Sequence, residues 1–104
     1  MSYRAGTAHG PESILKASPQ LDFYDWDNPT GWHQGIFMEP ISQALFQQNQ
    51  ELRQKANRVI TAAEQGLDIS ADSTLFADLS AVNQGCEGMN LWVFTHTRQA
   101  LEQG

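Results

Sequence analysis

A chain of 104 residues can hold one domain or part of one, and an apolar content of 40% allows only a modest core. The net charge of −6 argues against a nucleic-acid backbone or an anionic membrane surface as the main partner. The single cysteine, Cys86, rules out an internal disulfide and suits a reducing cytoplasm; the first residues lack the apolar run expected of a signal peptide, and no stretch approaches the length of a transmembrane helix.

Ser2-Tyr3-Arg4 reads as the tail of a strand, and Gly6 and Gly10 punctuate the loop after it. Pro11 suits the first turn of a helix, where its missing N–H costs nothing, and Glu12 complements the helix dipole there. This predicts a short helix from Pro11 to Ala17, stopped by Ser18-Pro19. The segment from Leu21 to Trp32 is aromatic-rich and ends in turn residues. It predicts an extended stretch and loop whose Tyr24, Trp26 and Trp32 pack over neighbouring elements or, as the second reading, line a pocket. Gly35 to Pro40 is an apolar run too short for periodicity to decide between a brief strand and an extended connector.

From Ile41 to Gly66 the pattern turns helical, with Ile41, Leu45, Leu52, Ala56, Val59, Ile60 and Ala63 on one broad face. At 1.5 Å per residue such a helix spans about 37 Å. Gly66 suits its C-terminal stop, while Gln48 and Asn49 interrupt any heptad. Leu67 to Leu79 reads as a linker with a short turn around Thr74 to Asp78. The last helix is predicted to begin between Ser80 and Asn83 and to run to Gln103. Its middle, Met89 to Phe94, is apolar almost all the way round, which predicts burial on several faces. Two long helices offer little to cover it. Met89, Leu91, Trp92, Val93 and Phe94 are therefore candidate interface residues of a homo-oligomer.

Catalytic signals are absent from the pattern. His9, His33 and His96 lie far apart and none pairs with a nearby cysteine, so neither a metal ligand nor a catalytic residue is assigned. His96 is expected to partner a polar neighbour on the last helix. Cys86 has no basic neighbour and reads as a structural thiol. Asp22, Asp25 and Asp27 read as a solvated turn before they read as a carboxylate cluster. The basic cluster from Arg53 to Arg58 reads as a solvated helix face.

Tyr3-Arg4-Ala5-Gly6-Thr7-Ala8-His9-Gly10-Pro11-Glu12-Ser13-Ile14-Leu15, with Ser18 and Leu21-Asp22-Phe23-Tyr24-Asp25, resembles the N-terminal region of agmatinases, members of the ureohydrolase (arginase) family. Asn90-Leu91-Trp92-Val93-Phe94, then Thr97, Leu101 and Gly104, is similar to the family's tail of the same region. The resemblance implies manganese-dependent hydrolysis of a guanidinium group. The family's ligand segments, Gly-Gly-Asp-His, Asp-Ala-His-x-Asp and Asp-x-Asp, do not occur here, so manganese is implied for the full-length family and not for this chain. Tyr3 and Arg4 are the candidate substrate-loop residues that the resemblance suggests. Residues 1–104 are then expected to form a single partial domain, the helical excursion between two strands. The expected fold is mainly α, one short and two long helices with an irregular aromatic segment, without most of the family's α/β sheet. The alternative reading is a free-standing acidic helical module for oligomerisation or protein binding.

Overall fold

The computed structural model describes residues 6–103, which form a mainly α structure of three α-helices joined by 3-10 turns and irregular segments. The strand expected at Ser2 to Arg4 lies outside the described residues, and no strand occurs within them. The chain divides into a unit that ends at Ser42 and a unit that starts at Gln43.

In the first unit a 3-10 turn, Thr7–His9, leads into α1, Gly10–Ala17. Pro11 sits in its first turn with Glu12, as the dipole favours, and Lys16 lies in its last. The Ser13 hydroxyl donates to the His9 carbonyl (2.9 Å) and the Ser18 hydroxyl to that of Leu15 (2.7 Å). A 3-10 turn, Ser18–Gln20, carries Pro19 and ends the helix. From Leu21 the chain is irregular except for a turn at Gly31–Gln34, and Gly35 to Pro40 forms no strand. Tyr24, Trp26 and Trp32 are exposed, Trp26 by 87%. Their rings meet close sequence neighbours, Tyr24 edge-on to Trp26 (5.5 Å) and Trp32 to His33 (4.0 Å).

The second unit is a helical hairpin of α2, Gln43–Glu64, and α3, Ser73–Glu102. Gly66, at φ 73°, adopts the left-handed conformation that ends α2. The Leu67 amide donates back to the Ala62 carbonyl and the Gly66 amide to that of Ala63, both at 3.0 Å, the Schellman pattern. Asp68 then accepts from the Ser70 amide and hydroxyl and starts the turn Ile69–Ala71. Asp72 accepts from the amides of Thr74 (2.8 Å) and Leu75 (3.1 Å) and caps α3. Thus α3 begins at Ser73, not at Ser80 to Asn83, and the expected linker from Leu67 to Leu79 shrinks accordingly. Asp72 satisfies the first amides, and Leu75, Asp78 and Val82 already follow helical spacing.

The helices pack through small side chains. Ala56, Val59 and Ala62 of α2 are buried with Asp78, Val82 and Gly85 of α3. Leu45, Leu52 and Ile60 are half-buried, as a two-helix contact covers only a narrow stripe of each partner. Two members of the expected face fall outside it. Ile41 precedes α2 and is exposed; Ala63 is exposed in the last turn, where the chain folds back from Ala62. Gly85 is where the backbones need room: a Cβ there would overlap a Leu52 methyl. Among the described residues no large side chain is fully buried.

Candidate functional site

The site builds outward from the hairpin's one buried charge. Asp78 is 6% exposed, and Arg58 of α2 donates its Nε–H to the Asp78 Oδ2 at 2.8 Å. That bond, aided by the nearby charges of Arg58 and Lys55, holds the Asp78 carboxyl below its ordinary pKa, against the opposing effect of burial. It raises the Arg58 pKa in return. Arg58 is therefore more than part of a solvated basic face: it fixes α2 against α3. Its pairing with Asp78, and the fit of Leu52 on Gly85, define an antiparallel register that brings Leu45 level with Trp92.

Beyond that level α3 continues for more than two turns past the start of α2. From Gly88 to Thr97 it carries no Asp, Glu, Lys or Arg. Met89, Leu91, Val93 and Phe94 are exposed there, Leu91 by 65% and Phe94 by 63%. Trp92 is half-buried and stacks on His96, one helical turn on, at 4.0 Å between ring centroids. His96 thus has an aromatic ring among its neighbours on the last helix. The Thr95 hydroxyl donates to the Leu91 carbonyl (2.8 Å) and so adds no outward polar demand. Farther along, Arg98 donates to Glu102 at 2.7 Å across an exposed turn.

The apolar face also reaches beyond the residues assigned from sequence. Phe94, Thr97, Arg98, Leu101 and Glu102 line an open hollow of about 460 Å³, and Leu101 is 77% exposed. The seven-residue spacing from Phe94 to Leu101 carries that signal in the sequence, since seven residues make close to two turns. Nothing in the sequence singled out Asp78, which sat inside an expected linker.

The remaining candidates stay apart. Tyr3 and Arg4 lie outside the described residues. Asp22 accepts from the Tyr24 amide (3.0 Å) and Asp25 from the Asp27 amide (2.9 Å), so these carboxylates shape their own turns. Among the described residues no three His, Cys, Asp or Glu side chains group as metal ligands would. Cys86 is a half-buried free thiol. No helix of the described residues is long and apolar enough to cross a membrane. What the arrangement offers chemically is an uncharged apolar helix face on a helical hairpin. No protein-family model matches the chain, and no curated protein or solved structure matches it.

Proposed function

We propose that this chain corresponds to the N-terminal region of an agmatinase-like ureohydrolase and is catalytically silent by itself. The observation that carries the reading is the run from Tyr3 to Leu15 with Leu21 to Asp25, the segment similar to agmatinases. In such a protein these residues contribute helices, and guanidinium hydrolysis depends on ligand segments that this sequence does not contain. The chain alone is expected to release no urea from agmatine or arginine in excess manganese, and calorimetry should find no stoichiometric manganese. Urea release at enzymatic rates by the pure protein overturns the silence. A reading frame that does not lead into a Gly-Gly-Asp-His turn overturns the resemblance.

A second reading rests on a different observation, the exposed run of Met89, Leu91, Val93 and Phe94 on a hairpin whose buried side chains are small. Exposure of a Leu- or Phe-sized side chain forgoes about 1.5–3 kcal/mol relative to full burial. Such a surface favours an acidic helical module that pairs with a second copy or with another protein. Two-fold pairing is the commonest way for identical chains to hide it. The net charge of −6 gives nucleic acid no footing, and a single thiol fits the reducing cytoplasm as the place of action.

A further inference from the structure

No further inference is drawn: the strongest candidate, the exposed apolar face of α3 from Met89 to Leu101, belongs to the site already described, and nothing in the structure shows what covers it.

Discussion

Gly85 and Gly88 lie one turn apart in the same helix and should respond to substitution in opposite ways. A glycine inside a helix costs about 1 kcal/mol relative to alanine. At Gly88 a Cβ meets nothing within 4 Å, so Gly88→Ala should raise stability by about 1 kcal/mol in urea denaturation. At Gly85 the added methyl collides with Leu52, and overpacking costs about 1–3 kcal/mol. Gly85→Ala should thus be neutral to destabilising in the parent and stabilising in a Leu52→Ala background. Equal effects in both backgrounds would show that the two residues do not touch. Asp78 contributes to the response to acid. Its folded pKa is depressed by the Arg58 hydrogen bond, so the stabilisation it supplies is complete above the unfolded carboxylate value, about pH 4. That stabilisation disappears as pH falls through the lower folded value. Asp78→Asn should melt below the parent at neutral pH, and the gap should narrow on acidification. Asp68, also depressed through its bonds to Ser70, leaves some acid sensitivity in the variant. A gap that stays constant down to the acid limit would remove the ion pair from the account.

At the scale of elements, α3 depends on its cap. Asp72 supplies the acceptor for two otherwise orphaned amides, so Asp72→Ala should cost about 1 kcal/mol and fray the first turn. Amide exchange at Thr74 and Leu75 would report this directly, and unchanged protection there would count against the cap. The same region shows where the sequence was legible. The mainly α class, the helix beginning at Gly10-Pro11 and the stop at Gly66 all follow from local chemistry that acts within a few residues. The start of α3 was harder because Asp68 and Asp72 are four residues apart and either type of residue can begin a helix or a turn. The chain uses both, a 3-10 turn first and then the helix. Burial was legible only in part. Periodicity gives the direction a side chain faces, whereas the depth to which it is covered depends on the partner. Leu52 meets Gly85 of α3, yet it and Leu45, both on the expected face, are only half-buried. The substrate-loop candidates Tyr3 and Arg4 rest on resemblance and gain no geometry from the described residues.

For the molecule as a whole, the imbalance between a small-residue core and a large exposed apolar face predicts association. Sedimentation equilibrium at tens of micromolar should find more than the monomer mass. Phe94 is exposed, so Phe94→Asp should leave helicity intact while it weakens association by about tenfold or more, since about 1.4 kcal/mol corresponds to each factor of ten. Trp92→Asp is the harsher probe because that ring is also stacked on His96, and loss of fold there would be uninformative about pairing. A well-folded parent monomer, with Trp92 emission blue-shifted, would mean that the hairpin closes its own core and that the apolar face has no partner among copies of itself.

The tight return at Gly66 has a consequence for the order in which events occur. The contact between Arg58 and Asp78 spans only 20 residues of chain, and the turn between them is held by its own capping bonds. Contacts between neighbours in sequence form fast, in microseconds to milliseconds for helical topologies, because little loop entropy has to be lost first. The hairpin can therefore assemble before any partner arrives. A partner that meets α3 on a hairpin already formed docks on a preformed ridge, and its association is governed by encounter and fit rather than by the entropy of ordering.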